Sequence, residues 1–286
     1  MTEAMGYKCF TTIGGVYYEF VTHGVTGMYE LLDDEDGIRG TRSRTLERAA
    51  QGLFKGGGDI HINPTPLELS GLYPLMVNAT TGGALSDAMQ DVTLILDLIT
   101  KKNTYTGRFS KFTLRGSPGK KLDLTATYVA KSLAEGATSL SGIPDITVRP
   151  YMMQDMGTGI TIGGVTYSLA EFELEIDNHI VPTYMQGQAP TDLEPQDRTV
   201  RLRVKTKYNT AEAALQTLAL SGPALGSPIT GTLAFTNGTN SVSFAFAAMV
   251  AVPKAVMVQN KGPLRWDGDF HCYKSGTTNE IITTFA

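Results

Sequence analysis

Two segments of the chain alternate charged and apolar residues with the period of a β-strand. Residues 170–177 read AEFELEID and residues 200–207 read VRLRVKTK. Successive side chains of a strand point to opposite faces, so each segment places its charges on one face and its apolar residues on the other. The first face is acidic and the second is basic. The two segments are therefore expected to be strands that pair with each other.

Burial of the apolar faces should dominate this pairing. A cross-strand pair of opposite charges contributes about 0.2–1 kcal/mol, whereas one large apolar side chain that becomes fully buried contributes about 1.5–3 kcal/mol. Packing thus drives the pairing and charge helps to set the register. The shared charged face would carry Glu171, Glu173, Glu175, Asp177, Arg201, Arg203, Lys205 and Lys207. Such a face fits either a plain solvent-facing sheet or the wet wall of a channel built from many such sheets.

The rest of the chain also reads mainly as strands. Gly14-Gly15 joins two short apolar runs and predicts a tight hairpin, because glycine readily adopts the positive φ that such turns need. Thr65-Pro66-Leu67-Glu68 has the capping-box pattern that opens a helix. Further strands are predicted over 92–99, 105–114, 122–130, 167–180, 198–208, 230–236, 242–248, 254–259, 265–273 and 280–285.

The order of these elements repeats. Residues 1–143 and 144–286 each read as a strand, a long loop, a strand, a short helix and several more strands. The long loops are predicted over 23–58 and 181–196, and residues 132–144 read as a linker. Without convincing residue identity between the halves, the shared order alone predicts an ancient duplication rather than a solenoid, which would need several short periods.

The first long loop carries a block of each charge. Its charged residues are Asp33, Asp34, Glu35, Asp36, Arg39, Arg42, Arg44 and Arg48. A connection of this length inside a compact domain is unusual and is often functional or disordered. It is interpreted either as a contact with a charged partner surface or as a solvated flexible loop.

Composition narrows the function. A formal charge of −4 and a pI near 5.6 argue against a dedicated nucleic-acid binder, which would carry a basic stripe. Cys9 and Cys272 stand far apart without a metal-ligand pattern, so two free thiols in a reducing compartment are expected, with a disulfide between them left open. With neither a secretion signal nor a long apolar run, the chain is expected to stay in the cytoplasm until assembly, away from membranes.

The motifs of catalysis are missing from the sequence. His23, His61, His179 and His271 are scattered, and none belongs to a metal-ligand pattern. Neither a nucleophile elbow nor a phosphate-binding loop occurs in the sequence. A row of acidic residues beside a row of basic residues is more simply explained by a structural role than by catalysis. The sequence therefore predicts a protein that is not an enzyme and has no catalytic, cofactor-binding or metal-binding residues.

Four stretches in this order resemble the tail tube proteins, also called major tail proteins, of long-tailed bacteriophages. Each motif is degenerate, but together they span most of the chain. The stretches are GIRGTRS at 37–43, GDIHINPTP at 58–66, the strand–turn–strand over 105–131, and LEIDNH at 174–179 followed by DRTV at 197–200.

The resemblance implies a β-sandwich or half-barrel with short flanking helices, here in two tandem tube-fold halves. It implies subunits that join edge to edge into rings, stacked into a hollow tube within the virion tail, with assembly in the host cytoplasm. A trimer with pseudo-sixfold symmetry is favoured and a hexamer is the alternative. Expected partners are further copies of the chain, the tape-measure protein and viral DNA in the lumen, and tail-end proteins. The charged strands would then line the lumen, and the long loops would contact the next ring.

Two other classes stay open at this point. A secreted or surface β-sandwich binding module would share the strand content, but the missing signal peptide counts against it. An all-β glycan-active enzyme would need paired carboxylates in a cleft lined with aromatic residues, and the chain has one tryptophan.

Overall fold

The computed structural model describes residues 9–32, 50–78, 85–98, 100–138, 148–207, 213, 215, 217, 229–252 and 265–286. The strands before the helix are β1 (Phe10–Ile13), β2 (Val16–Tyr18), β3 (Thr22–His23), β4 (Thr26–Leu32) and β5 (Ala50–Ile62). The helix α1 spans Pro66–Val77. After it come β6 (Val92–Asp97), β7 (Lys102–Gly116), β8 (Asp123–Gly136), β9 (Ile160–Ile162), β10 (Val165–Tyr167), β11 (Glu171–Asp177), β12 (Val181–Thr183), β13 (Asp192–Glu194), β14 (Thr199–Lys207), β15 (Ile229–Asn237), β16 (Asn240–Ala251), β17 (Arg265–Tyr273) and β18 (Ile282–Phe285).

One large antiparallel sheet contains sixteen of these strands. Its main path runs β10-β9-β15-β16-β17-β14-β11-β7-β6-β1-β2. Beside this path β8 joins β7 to β5, β3 and β4 pair with β5, and β18 pairs with β16, while β12 and β13 form a separate hairpin. The sequence prediction of a mainly β fold is therefore confirmed.

The first hairpin and the helix begin where the sequence predicts. Gly14 and Gly15 adopt φ values of 58° and 88°, the two positive values that a tight hairpin turn requires. At the helix, the Thr65 hydroxyl accepts a hydrogen bond from the Glu68 backbone N–H at 3.2 Å, and the Glu68 carboxylate accepts one from the Thr65 N–H at 3.0 Å. This reciprocal pair is the predicted capping box, and the helix continues through Pro74.

Helix α1 packs strands from both ends of the chain into one core. The ring of Tyr73 contacts Phe112 of β7 at 5.4 Å between centroids, Phe244 of β16 at 5.7 Å and Phe285 of β18 at 6.0 Å. Tyr73 and Phe244 are both fully buried. Edge-to-face aromatic contacts of this kind add stability beyond area burial. A single helix therefore joins the strands that precede residue 143 to those that follow it.

The predicted connection over 23–58 is wrong in large part. Strands β4 and β5 occupy residues 26–32 and 50–62, and only 33–49 between them lies outside the described residues. Three consecutive glycines, Gly56 to Gly58, made this segment read as a loop. A side chain at Gly58 would collide with the carbonyl oxygen of Gly24, so glycine allows this close approach of two backbones.

Three other predicted boundaries are corrected. The linker predicted over 132–144 begins later, because β8 continues to Gly136 and its small polar residues pair with the start of β7. The strand predicted over 167–180 is two strands, β10 and β11. The connection predicted over 181–196 contains the β12–β13 hairpin. Small and polar residues led to these errors, since they pair in strands when a neighbouring strand supplies the burial.

A charged sheet face as candidate functional site

The two charged strands are neighbours, as predicted. Strand β11 pairs antiparallel with β14, which sets Glu171 opposite Lys205, Glu173 opposite Arg203 and Glu175 opposite Arg201. The residues between them face the other way and are buried: Phe172, Leu174, Ile176, Val200, Leu202 and Val204. The apolar faces thus anchor both strands in the core, and the charges stand together on the opposite face.

The charged face is twice as wide as the sequence predicts. Strand β7 borders β11 and sets Arg115 opposite Glu173. Strand β17 borders β14 and sets Asp269 opposite Arg203 and Asp267 opposite Lys205. The strands β7, β11, β14 and β17 therefore form four adjacent columns that are basic, acidic, basic and acidic.

Ion pairs connect these columns. Arg115 Nε lies 2.6 Å from Glu173 Oε2, and Arg203 Nη1 contacts the other oxygen of the same carboxylate. The remaining pairs are Lys205 Nζ to Glu171 Oε2 at 2.6 Å, Lys111 Nζ to Glu175 Oε2 at 2.9 Å and Arg201 Nη2 to Asp269 Oδ2 at 3.2 Å. Each exposed pair contributes up to about 1 kcal/mol. The more important effect is that opposite charges nearly cancel across the face.

Glu173 is the centre of this network. Its side chain is 19 % exposed and lies between two arginines. Partial burial by itself would raise the pKa of Glu173, but the hydrogen bonds and charges of Arg115 and Arg203 outweigh it and hold that pKa below its usual value. Glu173 therefore stays ionised and ties three strands together.

Two of the eight predicted face residues depart from the expected pairing. Asp177 lies opposite Thr199 rather than a basic residue, and its carboxylate contacts the His179 ring at 3.7 Å. The backbone of Lys207 lies opposite Arg265 of β17, beyond the end of β11. The acidic and basic rows are thus offset by one pair.

The predicted partner-binding residues of the first long segment lie outside the described residues. They are Asp33, Asp34, Glu35, Asp36, Arg39, Arg42, Arg44 and Arg48. The second predicted segment is described, and it folds back on its own chain. Arg108 of β7 contacts Asp192 at 3.2 Å, and the Tyr184 hydroxyl donates to the Phe54 carbonyl at 2.7 Å. The segment that contains the β12–β13 hairpin therefore contacts β5 and β7 of its own chain.

The four histidines lie in separate surroundings. The His61 ring contacts the Thr125 hydroxyl at 3.0 Å, and the His179 ring contacts the Asp197 carbonyl at 2.7 Å. Burial lowers the pKa of His23 to about 4, and His271 lies opposite Arg201 on the charged face. Within the part of the chain that the structure describes, no three metal-ligating side chains come together.

A cleft of about 720 Å³ opens at one end of the charged face. The carboxylates of its lining belong to Glu171 and Glu173, which are ion-paired, and to Asp123, and the one aromatic ring among its described lining residues is that of Phe172. A glycan-active site holds the sugar at a pair of carboxylates, and such a cleft is expected to be lined with aromatic residues. With one aromatic side chain in its described lining, this cleft gives no support to the glycan-active alternative.

The thiols are free, as expected. Cys9 is partly exposed and Cys272 is buried. Burial, reinforced by the charge of Glu280, raises the pKa of the Cys272 thiol. A buried thiol that stays protonated is a poor nucleophile, so Cys272 serves as a core residue.

The chain is thus mainly β and carries a broad sheet face of paired charges. The family model described as phage tail tube protein matches residues 31–269, which is well over half of the chain. The chain therefore belongs to the phage tail tube protein family. It is a structural component of the virion tail whose copies associate into the tube, and this membership points to a protein without enzymatic activity.

No curated protein gives a significant match to the chain. Among the described residues, no helix is long and apolar enough to cross a membrane.

Proposed function

We propose that the chain assembles in the host cytoplasm into closed rings that stack into a hollow conduit for genome delivery. The observation that carries this proposal is the face of alternating charged columns on β7, β11, β14 and β17. Its opposite side is buried, so this face points to water. In a closed tube built from such sheets, one hydrated face must line the channel.

The lumen-facing residues are proposed to be Glu171, Glu173, Glu175, Asp177, Arg201, Arg203, Lys205 and Lys207. A tube that conducts DNA must not bind the DNA tightly. Each bare Lys or Arg would attract a phosphate, and many such contacts in series would slow passage. The ion pairs to Glu171, Glu173 and Glu175 offset these attractions and leave the wall polar and hydrated.

The charged segment between β4 and β5 is proposed to contact the next ring. Its contact residues would be Asp33, Asp34, Glu35, Asp36, Arg39, Arg42, Arg44 and Arg48. Strand β4 ends at Leu32 and strand β5 begins at Ala50, and these two residues are paired directly opposite each other. The sequence between them has seventeen residues, far more than a tight hairpin turn needs, and connections of this length are often functional. The segment over 181–196 was expected to share this role, but its described contacts hold it against its own chain.

A trimeric ring with pseudo-sixfold symmetry follows if the halves 1–143 and 144–286 are two tube folds, and a hexamer is the alternative. The tape-measure protein and viral DNA would occupy the lumen, and tail-end proteins would cap the tube. Electron microscopy of the purified protein tests the main proposal. Ring stacks or hollow rods are expected. Monodisperse monomers at high concentration, with neither rings nor rods, would contradict the proposal.

A further inference from the structure

A short hairpin occurs twice in the chain. Residues 12–18 read TIGGVYY and residues 161–167 read TIGGVTY, identical at six of seven positions and 149 residues apart. Gly163 and Gly164 adopt φ values of 59° and 79°, close to those of Gly14 and Gly15. The Gly14 N–H donates to the Thr93 carbonyl at 2.9 Å, and the Gly163 N–H donates to the Thr230 carbonyl at 2.8 Å. The two hairpins therefore match in sequence, backbone shape and attachment.

Strand pairing repeats along with the hairpin. Starting from the hairpin β1–β2, the neighbours run β6, β7, β8 and β5. Starting from the hairpin β9–β10, they run β15, β16, β17 and β14. A helix follows β5, and helical residues 213, 215 and 217 follow β14. This correspondence supports the division into two tube-fold halves.

The same shift of 149 residues places β11 over residues 22–28. In the second half Phe172 pairs with Val204 of β14, and in the first half its counterpart His23 pairs with Ile60 of β5. Strand β11 has a second neighbour, because its other edge pairs with β7 and so joins the halves. Among the described residues, β3 and β4 pair with β5 alone. Within the described strands, the first half therefore has an unpaired edge where the second half has the β7–β11 junction.

Strand β4 is also unusually apolar for an open edge. Met28 is 63 % exposed, Tyr29 45 %, Leu31 73 % and Leu32 54 %. Edge strands of stable monomers are normally blunted by charge, proline or a bulge, because a flat apolar edge recruits another strand. Strand β4 carries one charged residue, Glu30, which is ion-paired with Lys55 of β5, and its register shifts between Tyr29 and Leu31. The exposed apolar side chains lie on both sides of this irregularity. Contiguous exposed apolar side chains likewise mark an interaction site.

In the second half, the strand that corresponds to β7 of the β7–β11 junction is β16. Strand β7 keeps β6 beside it as far as Gly107 and then takes β11 from Lys111. Strand β16, its counterpart, keeps β15 beside it as far as Met249. Beyond Met249 the described strand β16 continues through Val250 and Ala251, and these two residues are the described equivalent of the edge that β11 occupies on β7.

We propose that the edge formed by β3 and β4 pairs with the end of β16 in a second copy of this chain, and that the β7–β11 junction is the template for this contact. The contact is head-to-tail, so it closes a ring when the rotation between copies divides a full turn. This inference rests on the proposed ring assembly. It adds which strand of the chain forms the lateral bond.

The test is to place charge on the apolar edge. Met28→Lys combined with Leu31→Lys should give a folded protein, with unchanged circular dichroism, that remains monomeric by light scattering. Sedimentable tubes should fall at least about tenfold, because a charged side chain on an edge strand must lose its hydration when another strand pairs there. The matched control is Leu67→Lys, which charges a side chain that is 70 % exposed on α1 and should leave assembly at the wild-type level.

A second measurement covers the case in which the double variant fails to fold. Hydrogen exchange would be compared between wild-type tubes and the unassembled fraction of the same preparation. The amides of β4 should exchange more slowly in tubes, and failure of β4 to gain protection would overturn the inference. If wild type and Leu67→Lys form tubes and the folded double variant does too, this inference alone is wrong. If wild type forms no tubes, the proposed function fails as well.

Discussion

Arg115 Nε lies 2.6 Å from Glu173 Oε2, and this ion pair crosses from β7 to β11, where the sheet passes from residues before 143 to residues after it. Arg203 holds the other oxygen of the same carboxylate from β14. One carboxylate thus links a strand of the first half to two strands of the second. Glu171 is a natural comparison, because it is more exposed than Glu173 and forms an ion pair with Lys205.

Glu173→Gln should therefore destabilise the subunit more than Glu171→Gln. We expect a loss of about 1–2 kcal/mol in the free energy of unfolding for Glu173→Gln, because two arginines lose a partly buried partner. For Glu171→Gln we expect less than about 0.5 kcal/mol. Urea unfolding of both variants in the Met28→Lys/Leu31→Lys background measures the difference without interference from assembly. Equal losses would show that the double contact adds nothing.

Low pH should weaken the contacts of Glu173 with the two arginines. The pKa of Glu173 is lower in the folded protein than in the unfolded chain, so the unfolded chain binds the proton more readily. The stabilisation is fully present above the unfolded pKa of about 4.3 and is lost as the pH falls through the lower folded pKa. Stability measured between about pH 5 and pH 3 should fall less steeply for Glu173→Gln than for the parent. Parallel curves would refute this role.

His23 predicts a second pH dependence, at milder acidity. Burial lowers its pKa from 6.5 to about 4, and both ring nitrogens are buried without a hydrogen-bond partner among the residues that the structure describes. Between about pH 6.5 and pH 4 the unfolded chain binds the proton and the folded chain does not, so stability should fall as the pH is lowered through this window. His23→Phe should flatten the slope, whereas His179→Gln, at a half-exposed ring, should not.

Charge reversal tests the proposed lumen. Glu173→Lys combined with Glu175→Lys would set like charges opposite each other between neighbouring strands, so the yield of tubes should fall. The reversal acts on β7 as well as β14, because Glu173 meets Arg115 and Glu175 meets Lys111. Tubes that do form would have a basic wall, and phage carrying them should eject DNA more slowly. Normal ejection from fully assembled double variants would exclude a lumen position for this face.

Replacing the charged segment 33–49 between β4 and β5 tests the proposed contact between rings separately. Leu32 and Ala50 are paired across β4 and β5, so an Asn-Gly turn can replace residues 33–49 without moving either strand. The variant should keep the lateral edge and still form rings, but these rings should not stack. Electron microscopy distinguishes the three outcomes. Normal tubes would show that segment 33–49 is dispensable for stacking. Monomers would show that the segment is needed for contacts within one ring.

The sequence predicts the central pair of charged strands because strict alternation over eight residues has one simple structural reading. It misses the outer columns for local reasons. On β7 a bulge at the position of Ser110 shifts the register next to Lys111, so the alternation breaks. On β17, the row that contains Asp267 and Asp269 continues with His271 rather than with a third acidic residue, so the sequence shows no uniform charged row. Pairing with β11 and β14 is what assigns these residues to the face.

The repeated element order is predicted from the sequence, but the identity of the two hairpin segments is not, for a different reason. A comparison of whole halves dilutes a match that is confined to seven residues. Two glycines with positive φ, a buried isoleucine and a buried tyrosine recur at Gly14, Gly15, Ile13 and Tyr18 and at Gly163, Gly164, Ile162 and Tyr167. A search for short identical segments at a constant offset would have found them.

The two halves that meet at the β7–β11 junction belong to one polypeptide chain, and this covalent link restricts the errors that assembly can make. If each chain carries two tube folds, folds enter a ring only in pairs, and a ring with five or seven folds cannot close. The smallest error is then a gain or loss of two folds, which changes the circumference by a third in a six-fold ring. So large a misfit would strain every lateral edge at once. In such a ring, the fusion of the two halves would fix the tube diameter before any ring has stacked on another.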